Sequence, residues 1–397
     1  MFIEKLLQLM AEKKASDIFL SSGSPISIKI QGTIMPVNPA AMDAEQTKKI
    51  VYEMLTAKQI ETFENEQELN FSKPMAGLGN FRVNCFWQKG AVSCVIRFVS
   101  ADIPQIAKLS LPQVLSTLVM EKRGLILVVG ATGSGKSTTL ASMLDYRNSV
   151  AAGHILTIED PVEYVFTPKK SIFNQREVGN DTKSFHDALR NAMRQAPDCI
   201  LIGEIRDKQT MAMSLAYAQS GHLCLATLHA NNSYHAMNRI INFYPLENRP
   251  SLLLDLAAAL QSIISQRLVR TKTGTRMAAV EVLLNTRHIA ELIEKGEIGE
   301  IKDALEKSMS PGSQTFEQSL FKLFMDGKIT QEEAMANADS ATNMLWLINQ
   351  ATAGEISGQS IPPAPSAGDA KTEEKKEGIL SAAGGASFNT FKIDMNA

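Results

Sequence analysis

The chain has 397 residues, 44% of them hydrophobic and 21% charged, with a formal net charge of −2. That balance describes a soluble globular protein of two or three domains with a sizeable core. The near-zero charge gives no electrostatic case for a nucleic-acid partner.

The chain begins with MFIEKLLQLMAEKK, in which Phe2, Ile3, Leu6, Leu7, Leu9 and Met10 share one broad helical face. Glu4 and Lys5 interrupt the apolar run, so this is an amphipathic helix rather than a signal peptide. Short strands are expected at 17–20, 26–30 and 33–37, separated by Ser-Gly-Ser-Pro and Gln-Gly turns. A helix is expected over 43–66, then strands over 80–88 and 91–99 around Lys89-Gly90. Together these read as a small α+β domain over residues 1–100.

A two-residue loop at Lys89-Gly90 fixes the hairpin register, with Gln88 opposite Ala91. One face then carries Phe81/Phe98, Val83/Ile96, Cys85/Cys94 and Trp87/Val92. The other puts Arg82 opposite Arg97. Like charges in that relation are destabilising, so the pair invites an anion. Two solvated arginines, or a register shifted by a longer loop, are the alternatives on the hairpin alone.

A linker follows over 101–112, then a helix over 113–122. Leu125 to Gly130 is a short apolar run suited to a buried parallel strand. It opens into Gly130-Ala131-Thr132-Gly133-Ser134-Gly135-Lys136-Ser137, which satisfies G-x-x-x-x-G-K-[ST], and Thr138 continues into a helix. Strand, glycine loop and helix N-terminus in that order form the context a P-loop requires. Its glycines let backbone N–H groups approach phosphate oxygens, and the helix end adds partial positive charge. Lys136 supplies a point charge, and Ser137 offers a hydroxyl to Mg²⁺. The implied cofactors are ATP and Mg²⁺.

Beyond the loop, strands at 154–159, 199–202 and 222–229 alternate with helices at 184–195 and 208–220. This alternation predicts an α/β domain over 113–285 with a mostly parallel sheet. A helix over 249–264 and a strand over 277–284 close it. Catalytic groups in such sheets lie at the C-terminal strand ends. The first strand end carries Glu159, Asp160 and Glu163, and water activation needs such a carboxylate. The second reads Ile200-Leu201-Ile202-Gly203-Glu204, a Walker-B-like strand with Gly203 where an aspartate is common. The third is bounded by His222 and His229, and His229 lies at the phosphate end with Thr227. A purely structural histidine is the competing reading for both.

Residues 286–350 read as five helices in a small bundle. From 351 to 397 the chain is rich in Ala, Gly, Ser and Pro with a TEEKKE block, a composition that cannot bury a core. The four cysteines form no C-x-x-C pair, which argues against a zinc site and fits a reducing cytoplasm. No apolar run approaches the ~20 residues that span a bilayer.

In this order, GATGSGKS, TIEDPVEY, ILIGEIRD and GHLCLATLHANN resemble the secretion-ATPase superfamily. The similarity covers about residues 1–345 and is greatest to the type IV pilus retraction ATPases, the PilT and PilU group. The Gly-Glu ending is normal in that family. The resemblance implies a PAS-like N-terminal domain, a RecA-like P-loop domain and a C-terminal helical subdomain. It implies nucleotide and metal contacts for Lys136 and Ser137, a metal-positioning role for Glu204 and a general-base role for Glu163. Arg82 and Arg97 would reach the nucleotide phosphates, and His229 would link the γ-phosphate to a subunit contact. It further implies a homo-hexamer at the cytoplasmic side of the inner membrane, acting on a pilus platform protein without inserting in the bilayer.

Two features separate this chain from relatives. The tetracysteine module of assembly and secretion ATPases is absent. The retraction motif AIRNLIRE is replaced by His288-Ile289-Ala290-Glu291-Leu292-Ile293-Glu294-Lys295, with neither arginine. That substitution is similar to the PilU branch, and it implies a paralogous retraction ATPase as partner. The competing class is a nucleotide-binding accessory subunit with little hydrolysis.

Overall fold

The computed structural model describes residues 2–30, 32–75, 78–100 and 102–352. The expected tail lies outside them from residue 353 onward.

Helix α1 (Phe2–Glu12) buries Ile3, Leu6, Leu7 and Met10, the spacing of one helical face. Strands β1 (Asp17–Ser21), β2 (Pro25–Ile30) and β3 (Thr33–Ala41) follow. The single helix expected over 43–66 is two, α2 (Ala44–Tyr52) and α3 (Ala57–Glu66). Thr56 and Gln59 form a capping box that starts the second: Gln59 N donates to Thr56 Oγ1 at 3.3 Å, and Thr56 N donates to Gln59 Oε1 at 2.9 Å. Strand β4 (Glu68–Met75) is additional to the expected elements. It is an edge strand with Lys73 and Pro74, so it lacks the dense Val/Ile signal of a buried one.

The hairpin of β5 (Gly79–Gln88) and β6 (Ala91–Ser100) has the expected register, including Arg82 opposite Arg97 and Gln88 opposite Ala91. The six strands form one antiparallel sheet, ordered β3-β2-β1-β6-β5-β4. Its apolar face closes on α1 and the two following helices through Leu7, Val51 and Phe63.

The second layer begins with α4 (Val114–Leu118), shorter than expected. Then come β7 (Gly124–Val129), α5 (Lys136–Val150), β8 (Gly153–Glu159) and β9 (Ser171–Glu177). Next are α6 (Phe185–Ala192), β10 (Cys199–Ile202), α7 (Lys208–Gln219) and β11 (Leu223–Leu228). All six residues of the P-loop strand β7 are buried, as the continuous apolar run demands. Helices α8 (Ser233–Asn242) and α9 (Arg249–Ala259) precede β12 (Leu260–Arg270) and β13 (Arg276–Leu284).

The helix expected over 249–264 therefore ends at Ala259. Leu260, Ile263 and Ile264 belong to β12, which lies between β7 and β13. A strand buried on both faces has no alternating pattern, so its apolar residues continue the helical period before it. The sheet order is β13-β12-β7-β11-β10-β8-β9, parallel throughout except for the last hairpin.

The C-terminal helices are α10 (Arg287–Lys295), α11 (Ile301–Glu306), α12 (Phe316–Met325), α13 (Gln331–Asn337) and α14 (Ala341–Thr352). They do not form one bundle. Ile289, Leu292, Ile301 and Leu305 join the main core beside Leu125 and Leu127. The last three helices instead gather Phe316, Leu320, Met344 and Leu347 around Val269 and Ala279 of the β12–β13 hairpin.

Candidate active site

The loop after β7 is shaped by crowding on one side and openness on the other. A Cβ on Gly130 would lie 2.4 Å from Ser134 Oγ and 2.6 Å from the Gln266 carbonyl oxygen. Gly133, at φ +78°, has nothing within 4 Å of where its Cβ would be. Helix α5 starts at Lys136, so its N-terminal N–H groups close the loop. A phosphate cradle needs this combination of close backbone, positive-φ glycine and helix end. The residues therefore fit the phosphates of a nucleotide.

Lys136 is nearly buried, and its Nζ donates to the carbonyls of Gly130 and Ala131, each at 2.9 Å. Burial lowers its pKa, while the carboxylates of Glu204 and Glu163 act to raise it. Thr132, Gly133, Lys136 and Ser137 form one wall of a cavity of about 210 Å³. Glu159, Glu163, Glu204 and His229 stand on its other walls. Ala131 and Thr138 belong to the loop and the first turn, and the Thr138 hydroxyl lies 2.8 Å from Tyr164 OH.

The acid box follows the end of β8. Glu159 is buried, which raises its pKa. It accepts from Thr157 Oγ1 at 2.7 Å and from the Glu163 backbone N–H at 3.3 Å. Its carboxylate thus shapes the turn, whereas Glu163 extends a half-exposed side chain. Across the sheet, a Cβ on Gly203 would meet Glu159 Cα at 3.1 Å and Ile158 O at 3.2 Å. A side chain at 203 would crowd the β8 backbone, and the acid stands one residue later, at Glu204.

Glu204 is held at both oxygens. Arg206 Nε reaches Oε2 at 2.7 Å, and His229 Nε2 lies 3.4 Å from Oε1. Arg206 also contacts Asp160 at 3.4 Å and so joins the acid box to the Walker-B-like strand. Burial lowers the pKa of His229, and the nearby Lys136 charge adds to the effect. Both effects favour the neutral ring, which stays within 3.4 Å of Glu204 Oε1. His222 is at the opposite end of β11, near Ser220 Oγ and the Tyr217 carbonyl, outside this cavity.

The two arginines part company. Arg82 Nη2 donates to the carbonyls of Pro161 at 3.3 Å and Val162 at 2.9 Å, and it lies 3.9 Å from Glu163. Arg97 instead pairs with Asp17 of β1, Nε to Oδ1 at 2.8 Å, and its side chain is 64% exposed. Asp17 on the adjacent strand answers the Arg97 charge, while Arg82 turns to the acid box. Both arginines line a groove of about 580 Å³ between the N-terminal sheet and the acid box. Glu177 at the end of β9 spans it, accepting from Ser72 Oγ at 3.0 Å and from the Val162 N–H at 2.9 Å. Sequence reasoning missed Glu177, Ser72 and Arg206; the first two lie on strands it did not identify.

Arg82→Ala is expected to lower kcat at least about tenfold with ATP affinity changed far less, because it frees the acid-box backbone. Arg97→Ala should leave turnover near normal. Kinetics of both single variants check this, and normal kcat in Arg82→Ala would remove the coupling.

A parallel sheet with a glycine loop on one strand end and acids on its neighbours defines a RecA-like P-loop ATPase. The family described as Type II/IV secretion system protein matches residues 1–287. The chain is 47% identical over 349 residues to the type IV pilus ATPase PilU of Pseudomonas aeruginosa, covering 88% of this chain and 91% of that one. It is 38% identical over 343 residues to PilT of the same organism, described as a type IV pilus retraction ATPase, covering 86% and 100%. The crystal structure of the pilus retraction motor PilT with bound ADP superposes with a TM-score of 0.80 at 41% identity, over 85% of this chain and 96% of that one. The chain belongs to this secretion-system family, as a nucleotide-binding P-loop ATPase of the PilT/PilU type.

Proposed function

We propose that this chain is an ATP-hydrolysing subunit of a hexameric motor for type IV pilus retraction, working with a paralogous retraction ATPase. The observation that carries the proposal is the acid box held by Arg82 of the N-terminal sheet directly across from the P-loop lysine. This contact joins the N-terminal sheet to the loop that bears Glu163. Movement of that sheet against the P-loop domain would then act directly on the acid assigned to water activation.

In this reading the loop N–H groups and Lys136 would bind the phosphates, and Ser137 would hold Mg²⁺ together with Glu204 once a Glu204 oxygen is released by Arg206 or His229. The metal offsets phosphate charge when bound. Glu163 takes the proton of the attacking water, and His229 senses the terminal phosphate beside Glu204. Arg97 takes part only if it leaves Asp17. None of the helices among the described residues is long and apolar enough to cross a membrane. Attachment to the inner membrane is accordingly assigned to a pilus platform protein.

The accessory-subunit reading draws on α10. Ile289, Leu292 and Ile293 are its buried face, while Glu294 is exposed where the retraction motif has arginine. With Ala290 and Glu294 where that motif has its two arginines, this helix presents a different surface and so favours a different partner. Phosphate release by the purified protein, with and without a PilT-type motor, tests the proposal. Turnover by the protein alone supports the motor reading. Turnover absent alone and unchanged in the mixture would overturn it. Particle counts per ring, with and without ATP, test the hexamer.

A further inference from the structure

Gln266 lies on β12 and is 3% exposed. It does not line the nucleotide cavity, yet its side chain clasps the loop from behind. Its Nε2 donates to the Ser134 carbonyl at 2.8 Å. Its Oε1 accepts from the Thr139 hydroxyl at 2.6 Å, on the first turn of α5. The orientation of the amide is unambiguous, since a carbonyl only accepts and the nitrogen must face Ser134.

The consequence concerns the next N–H along the loop. A trans peptide is planar, so the Ser134 C=O and the Gly135 N–H point in opposite directions. Holding the carbonyl toward β12 turns the N–H away from β12 and into the concave side of the loop. A P-loop uses N–H groups in that position to meet phosphate oxygens. The close approach is also visible in the loop's composition. A Cβ on Gly135, at φ +89°, would lie 2.7 Å from Gln266 Nε2. A side chain at that glycine would push on the clasping amide.

The support itself is rigid. β12 pairs with the P-loop strand up to Ser265 and Val129. Arg267, the residue after Gln266, bonds the Asn337 carbonyl at 2.5 Å and lies 3.9 Å from the Phe316 ring centroid. The clasp cannot drift without disturbing both the sheet and the C-terminal helices.

We infer that Gln266 is a positioning residue of the nucleotide site, fixing the peptide between Ser134 and Gly135 so that its N–H faces the phosphates. This rests on the P-loop reading of the site. Thr139 serves it by fixing the amide, and neither side chain touches the nucleotide.

ADP binding to the full chain, measured by calorimetry, tests this. Gln266→Ala and Thr139→Val should each weaken ADP at least about fivefold, since each frees the same peptide. Thr139→Ser keeps the hydroxyl and should bind as the wild type does. The double variant Thr139→Val/Gln266→Ala should be no weaker than Gln266→Ala alone, because both act on one group. Melting curves without nucleotide provide the structural control. A lowered melting temperature with unchanged ADP affinity would overturn the inference, as would additive losses. If Gln266→Ala does not fold, the nearly isosteric Thr139→Val against Thr139→Ser still decides it. Absence of ADP binding by the wild type would overturn the P-loop reading as well, whereas wild-type binding with every variant within about twofold overturns this inference alone.

Discussion

Lys136→Ala yields a folded protein that no longer hydrolyses ATP. The side chain contributes little to the core. Its Nζ meets only two carbonyls of its own loop, at Gly130 and Ala131. Those oxygens border the cavity and can be rehydrated when the side chain is truncated. The electrostatic loss is much larger. Glu159, Asp160, Glu163 and Glu204 all line the cavity that Lys136 faces. Their fields act on the lysine through Glu204 and Glu163, which raise a pKa that burial lowers. Without the cation, a nucleotide polyphosphate enters a pocket dominated by carboxylates. Binding should weaken by more than about tenfold and hydrolysis should fall to background, because the same charge serves ground state and transition state. Phosphate release and ADP titration measure the two effects. A melting temperature within a few degrees of wild type confirms that the fold is intact, and wild-type turnover would sink the P-loop assignment.

Much of this site is local in sequence, and the local part was legible. Loop, lysine and helix start are contiguous from Gly130 to Ser137, so spacing alone defines them. The hairpin register followed from a two-residue loop and one apolar face, and it placed Arg82 opposite Arg97 as observed. What those arginines touch was not legible. Arg97 meets Asp17, which became its neighbour only when β1 paired with β6. Arg82 reaches backbone carbonyls 79 and 80 residues away, and carbonyls have no sequence signature. β9 and β12 were hidden for a related reason. β9 carries Asn174, Gln175, Arg176 and Glu177, a polar run on an edge strand. β12 is buried on both faces and merges with the helix before it. The residues that brace the site, Glu177 and Gln266, were lost with those strands.

Glu163→Gln is the sharpest test of how the acid box divides its work. The change keeps shape and volume and removes the proton acceptor. Glu163 lines the cavity with a half-exposed carboxylate, and its nearest cation is Arg82 at 3.9 Å. Its surroundings leave it able to take a proton from water and release it to solvent. Glu159 is differently placed. Its oxygens already accept from Thr157, from the Glu163 N–H and, at 3.5 Å, from Gln175. Burial raises its pKa, so its neutral form is favoured in the fold relative to the unfolded chain. That contribution to stability is full below the unfolded carboxyl pKa and is lost as pH rises through the raised value. Glu159→Gln should therefore flatten the wild-type fall in stability over that acidic range. Glu163→Gln should lower kcat by at least about a hundredfold, with ATP affinity within about threefold, as expected for a lost general base. Turnover, ATP affinity and melting temperature from about pH 4 to 9 separate the two roles. If Glu159→Gln loses turnover while Glu163→Gln keeps it, the buried acid is the base and the half-exposed one serves Arg82.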